Sequence, residues 1–330
     1  MKPGLSRFEH FINKLQPILN TASKQKNPAL WLYRNNARTP LFMLEALSKM
    51  YSDFHNSKKF TKIKEHFKLL EDTLGAIDYY DMAAKDLVTN KKVPANVITY
   101  LQAQSREKIQ SLNEILVEND WLSTDKSRIS KILKKLKEVD WLEEEDEVNQ
   151  MNEFYGESIY SLVEFIQGTS FHFENMESEV HELRRKLRWL SIYPQAVNGA
   201  IQLQTNKNMP KHLAKYCSKE ITSSPYNTLP AVGRSTYILL LEQNYYFALS
   251  WMIAELGNIK DNGLHVVAVK EALLQTASLD ETAAIKKTYQ LLGRQQTSLQ
   301  ELLQQAGNIC KIYFEEQNLE HLVLGVKMIK

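Results

Sequence analysis

Strings with helical spacing recur in the same order in the two halves of this chain, which restricts it to a duplicated helical architecture. Trp31, Arg34 and Arg38 step by three and then four residues, and His181, Arg184 and Arg188 repeat those steps 150 residues later. On an α-helix each set forms one polar stripe. Beside the first runs an apolar row of Leu30, Tyr33, Ala37, Leu41 and Leu44, and beside the second Val180, Leu183, Leu187 and Leu190. Two further landmarks follow: Leu74-Gly75-Ala76-Ile77-Asp78 returns as Leu256-Gly257-Asn258-Ile259-Lys260-Asp261, and Ser111–Leu116 as Ser298–Leu303. The growing offsets predict a repeated unit whose second copy carries a large insertion.

The 330 residues, 43% of them hydrophobic, suffice for two cores of about 100 to 150 residues each. Eleven glycines and nine prolines are few, which suits long helices with short connections. No apolar run approaches the roughly 18 residues of a membrane span, and the first residues lack the apolar core of a signal peptide. With only Cys217 and Cys310 present, the expectation is a reduced, cytoplasmic protein with two buried thiols. A net charge of +2 hides a segregation, because two basic bodies flank an acidic stretch around Glu143-Glu144-Glu145-Asp146-Glu147. That block reads as a helix start or solvated linker, or as an internal competitor for an anionic ligand.

Helices are expected at 57–88, from Val93-Pro94 to about 118, and after a Ser123-Thr124-Asp125 cap; Asn27-Pro28 opens an earlier one that Pro40 should bend. Past residue 150 come an aromatic-rich helix, the Val180–Leu190 helix, and helices at 232–256, 259–276 and 280–306. No strand alternation stands out. The expected fold is all-α: two tandem antiparallel four-helix bundles related by a pseudo-two-fold. Residues 1–140 form the first repeat, 141–178 an acidic linker and connecting helix, and 179–330 the second repeat, with its insertion at 195–230.

The segment Val180-His181-Glu182-Leu183-Arg184-Arg185-Lys186-Leu187-Arg188 resembles the histidine-bearing basic helix of CHAD domains, the conserved-histidine α-helical family, and Leu256-Gly257 with Lys260-Asp261 resembles that family's Leu-Gly-x-x-basic-Asp segment. The resemblance implies a duplicated four-helix bundle that binds inorganic polyphosphate through basic side chains lining a central groove. Carried over by position, it implies His181, Arg184 and Arg188 in the second copy and Arg34 and Arg38 in the first as polyanion contacts; Arg185 lies close enough to join them. This chain departs from the pattern at Trp31, where the first copy would have its histidine, at Asp78-Tyr79, and at Thr39 and Ser191.

Independently of any family, guanidinium groups hold phosphate oxygens in bidentate pairs, and a groove supplying several would gain from counterion release. The same charges could instead serve surface pairs, since Glu177 precedes His181, and Glu182 precedes Lys186, by four residues. A nucleic-acid face built on Lys62, Lys64, Lys68, Arg128, Lys131 and Lys135 is the weaker alternative, as no reading module is present. No enzymatic motif emerges: Glu-x-x-His, His-Glu-x-x-His, Cys-x-x-Cys, Gly-x-Ser-x-Gly and a phosphate-cradling glycine loop are all missing. His172 and His181 among Glu174, Glu177 and Glu179 read as surface rather than metal site. A non-enzymatic polyanion binder without metal or cofactor is therefore expected; a helical scaffold with an eroded anion site, binding a protein partner through the 195–230 insertion, is the alternative.

Overall fold

The computed structural model describes residues 2–123, 127–206, 209–233, 235–293 and 297–329. The chain is mostly helical. Helix α1 (Pro3–Ala22) carries Phe8, Phe11, Ile12, Leu15 and Leu19 at helical spacing on its buried side. Asn27 caps α2 (Pro28–Arg34), accepting a hydrogen bond from the Leu30 amide. The stripe expected to run through Trp31, Arg34 and Arg38 is broken there. Asn36 takes a left-handed conformation, and α3 (Arg38–Phe54) starts afresh. Restarting at Arg38 places Pro40 in the first turn of α3, where its missing N–H costs no intrahelical hydrogen bond.

Helices α4 (Ser57–Val88) and α5 (Ala95–Glu118) match the expected limits and pack side by side. The next helix, α6 (Arg128–Lys137), is capped by Ser127; the expected cap at 123–125 falls partly outside the described residues. The acidic block opens α7 (Glu144–Gly168), where its carboxylates complement the positive end of the helix. Glu147 is buried, taking hydrogen bonds from Arg7 and Tyr51. Burial raises the Tyr51 phenol well above its ordinary range, with Glu147 reinforcing the shift and Arg7 opposing it. A single π-helical turn, Met176–His181, leads into α8 (Glu182–Ala196).

Three short strands were not foreseen. Ile201–Gln204 (β1) pairs in parallel with Tyr237–Glu242 (β2), which pairs antiparallel with Val323–Met328 (β3), irregular between Leu240 and Leu241. The expected helix at 232–256 thus begins only at Gln243, and the helix expected at 259–276 is its continuation, α10 (Gln243–Thr276). The Glu242 side chain accepts from the Tyr245 amide and marks the change from strand to helix. The insertion folds into β1, two 3-10 turns and the short α9 (Lys219–Thr222). The 280–306 helix is two: α11 (Glu281–Leu292) and α12 (Leu299–Glu315), the latter opened by a Ser298/Glu301 capping box. Ser298 therefore sits at a helix start, whereas its sequence counterpart Ser111 lies inside α5.

The main hydrophobic cluster runs from Phe8 to Leu322 and draws on both halves of the chain. A smaller one joins Ala83, Leu87, Val97 and Leu101 of α4 and α5 to Val269, Ala272, Leu273 and Ala284 of α10 and α11. Cys310 is buried and Cys217 half-buried, both as free thiols. Among the described residues no helix is long and apolar enough to cross a membrane.

Candidate functional site: an arginine seam between α3 and α8

Helices α3 and α8 pack against each other, α4 flanks α3, and α10 flanks α8. On α3, Arg38 donates from Nε to Glu71 Oε1 at 2.6 Å and lies 3.4 Å from Asp78 Oδ2 through Nη1, both partners on α4. On α8, Arg184 donates from Nε to the Ile253 carbonyl on α10 at 3.2 Å. Both arginines lie across a glycine. A Cβ at Gly75 would stand 2.8 Å from Arg38 Nη2, and one at Gly257 would stand 3.0 Å from Arg184 Nε. Glu71 is one turn before Gly75, as Ile253 is before Gly257, so the two arginines occupy equivalent places.

That equivalence corrects the register expected from sequence. Arg38 matches Arg184 rather than Arg188. The same 146-residue shift aligns buried Ala37, Leu41 and Leu44 with buried Leu183, Leu187 and Leu190. It also sets Phe42 opposite Arg188, and these two touch: the Arg188 guanidinium sits 4.6 Å from the Phe42 ring centroid, with Arg38 at 5.2 Å from the same ring. Two guanidinium groups, one from each half, thereby meet at one phenyl ring.

Their neutralisation differs. Arg38 is engaged by two carboxylates, and Glu71 is nearly buried. Arg188 is half-buried, and its guanidinium makes no hydrogen bond or ion pair among the described residues; burial, then Arg184 and Arg38, pull its pKa below the usual value, against the opposing pull of Glu71 and Tyr226. Arg184 is also shifted down by burial, against the pull of Asp261. Like charges held together at partial burial, with no carboxylate bonded to Arg184 or Arg188 among the described residues, favour an incoming anion.

The other expected contacts stand apart or are paired. Arg34, the last residue of α2, is exposed, away from the restarted helix. His181 ends the π-helical turn and bonds through Nδ1 to Glu177 Oε1 at 2.8 Å, which draws the Glu177 carboxyl below its ordinary pKa. Arg185 pairs with Glu182 at 2.7 Å on the exposed side of α8. Glu179 caps the turn by accepting from the Glu174 and Asn175 amides. The Lys68–Arg128–Lys131 face is largely engaged: Lys68 pairs with Asp72, Lys131 with Asp120, and Arg128 bonds to His66 and the Asn119 carbonyl.

Sequence spacing did not single out four further members of the seam. Lys49, three turns along α3 from Arg38, lies 5.4 Å from the Trp189 ring centroid. Trp189 meets Phe42 edge to face at 6.1 Å. Glu45 is buried one turn before Lys49, and burial raises its carboxyl to about 7. Their signal in the sequence is the step Arg38, Phe42, Glu45, Lys49 at helical spacing, which becomes legible only once α3 is known to begin at Arg38. No family model matches this chain, and it matches no curated protein and no solved structure.

Proposed function

We propose that the α3–α8 seam binds a polyanion, with inorganic polyphosphate as the ligand class, and that the protein acts by binding rather than by catalysis. The observation that carries this reading is Arg188, half-buried beside Arg184 and Arg38 with no carboxylate of its own. Phosphate oxygens would take the bidentate hydrogen bonds that Arg188 lacks and that Arg184 makes only to a backbone carbonyl. Arg184 and Arg188 are the main contacts in this reading, with Arg38 and Arg185 reaching the ligand by exchanging their carboxylate partners. His181 and Arg34 are peripheral.

Support comes as well from the paired contacts Arg38–Gly75 and Arg184–Gly257, which fit a duplicated unit with a pseudo-two-fold passing near Phe42 and Arg188. The CHAD resemblance rests on the second-copy segments that hold Arg184 and Gly257. The deciding experiment titrates long-chain polyphosphate at low and moderate salt against the native chain and the Arg184→Ala/Arg188→Ala double variant. Saturable binding that weakens steeply with salt and is lost in the double variant is expected. Equal binding by both proteins, or none by either, overturns the proposal, and the scaffold reading, with exposed Tyr226 of the insertion as a contact, would replace it.

A further inference from the structure

Away from the seam, a cleft of about 510 Å³ lies where the end of α10, the start of α5 and helix α11 come together. The pattern of α11 accounts for one wall. Ala284, Thr288 and Leu291 form the buried side of this helix, with Ala284 and Leu291 in the smaller hydrophobic cluster. Ala283, Lys286, Lys287 and Gln290, spaced as one further helix face, line the cleft instead. Leu273 and Ala277 at the end of α10, Leu279 just after it and Pro94 before α5 supply apolar walls. The size and the mostly apolar lining match a small-molecule site, which typically holds about 300–1,000 Å³.

The charge lining the cleft has one sign. Lys286 and Lys287 are exposed, neither ammonium makes a hydrogen bond or ion pair among the described residues, and no carboxylate lines the walls. The two acids at the start of α11 are engaged elsewhere: Asp280 accepts from the Ala283 amide at 2.8 Å, and Glu281 pairs with Lys270 at 2.6 Å. From this arrangement we infer that the cleft binds a free single-chain fatty acid, its alkyl chain against the apolar walls and its carboxylate at Lys286 and Lys287. Removing methylenes from water drives entry. The two lysines fix the orientation, because their ammonium groups sit on the solvent side of α11 and attract only the charged end. A polyphosphate would leave the apolar walls without a partner, and an uncharged chain would leave both lysines unpaired. The cleft therefore suits an anion with an apolar body.

The test is isothermal titration of the full chain with dodecanoate, octanoate and dodecanol, each below its micelle or solubility limit. Saturable binding is expected, with dodecanoate at least about 10-fold tighter than octanoate, since each buried methylene contributes up to about 4-fold. Dodecanol should bind about 5-fold more weakly than dodecanoate, as it lacks the charge that pairs with the lysines. A Lys286→Gln/Lys287→Gln variant should lose that preference, binding dodecanol as the native chain does and dodecanoate about 5-fold more weakly. Ala277→Trp, which fills the cleft from an exposed position, should weaken dodecanoate by about 10-fold or more with helical circular dichroism unchanged. Absence of saturable binding, equal affinity for the two acids, or dodecanoate affinity unchanged in either variant overturns the inference. Both substitutions are at exposed positions remote from the seam residues in sequence, and the native chain alone decides the length and charge comparisons if a variant fails to fold.

Discussion

The contact of α3 with α4 and that of α8 with α10 share one geometry and differ in charge. In both, a glycine lets an arginine lie against the neighbouring helix, and in both Nε donates to a group one turn before that glycine. In the first the acceptor is the Glu71 carboxylate, with Asp78 a turn beyond; in the second it is a backbone carbonyl, and Lys260 stands where Asp78 would be. An arginine met by two carboxylates is a structural tie. One met by a carbonyl keeps most of its charge for a ligand. In the proposed reading, two copies of one motif diverge into a brace and a binding site through substitutions on the facing helix together with Arg188 in place of Phe42.

The comparison is broken most directly at the arginines. Removing both Arg184 and Arg188 should weaken polyphosphate binding by about 100-fold or more, since each charge-assisted bond contributes about 1.5–3 kcal/mol, whereas Arg34→Ala should change it by less than about 3-fold; isothermal titration reads both. Stability should show the reverse pattern. Arg38→Ala strands the nearly buried Glu71 and should lower the unfolding free energy by about 3 kcal/mol in urea titration, while Arg188→Ala should lie within about 0.5 kcal/mol of the native chain or above it.

The two helices also differ at Glu45, whose place on α8 is taken by Ser191. The Glu45 carboxyl is raised by burial from 4.5 to about 7, so the folded chain holds this proton more tightly than the unfolded one. Its contribution to stability is complete below about pH 4.5 and is lost as pH rises through about 7, up to about 3 kcal/mol in all; Glu45→Gln should flatten that part of the stability profile measured by denaturant titration. Glu71→Gln should free Arg38 and raise polyphosphate affinity by about 3- to 10-fold, converting the brace toward a binding site. The smallest effect is expected from Gly257→Ala: its methyl would crowd Arg184 and weaken binding about 3-fold, while Gly75→Ala, which crowds Arg38, should change binding by less because Arg38 reaches the ligand only by leaving its carboxylates.

Helices at 57–88 and 95–118 were legible because each carries an uninterrupted apolar period and an Asn or Pro signal at its start. The strands were not. Tyr237–Leu241 is a short, continuously apolar run that leads through Glu242 into α10, and such a run has no period to separate strand from helix. Of the six residues expected at the site, Arg38, Arg184 and Arg188 meet at the Phe42 ring or beside it, while Arg34, His181 and Arg185 are exposed or paired locally. The misreading began at Asn36, whose left-handed backbone cuts the first stripe and moves the register by four residues.

By itself the sequence determined the helical character of the chain, the order of its repeated landmarks, and the presence of arginines and glycines at matching places, because propensity and spacing act locally along the backbone. Which arginine faces which glycine, and whether a carboxylate waits beside it, was decided only by the packing of α3 on α4 and of α8 on α10. Charge neutralisation depends on distances of a few ångströms between residues 33 to 69 positions apart, and no local pattern specifies those.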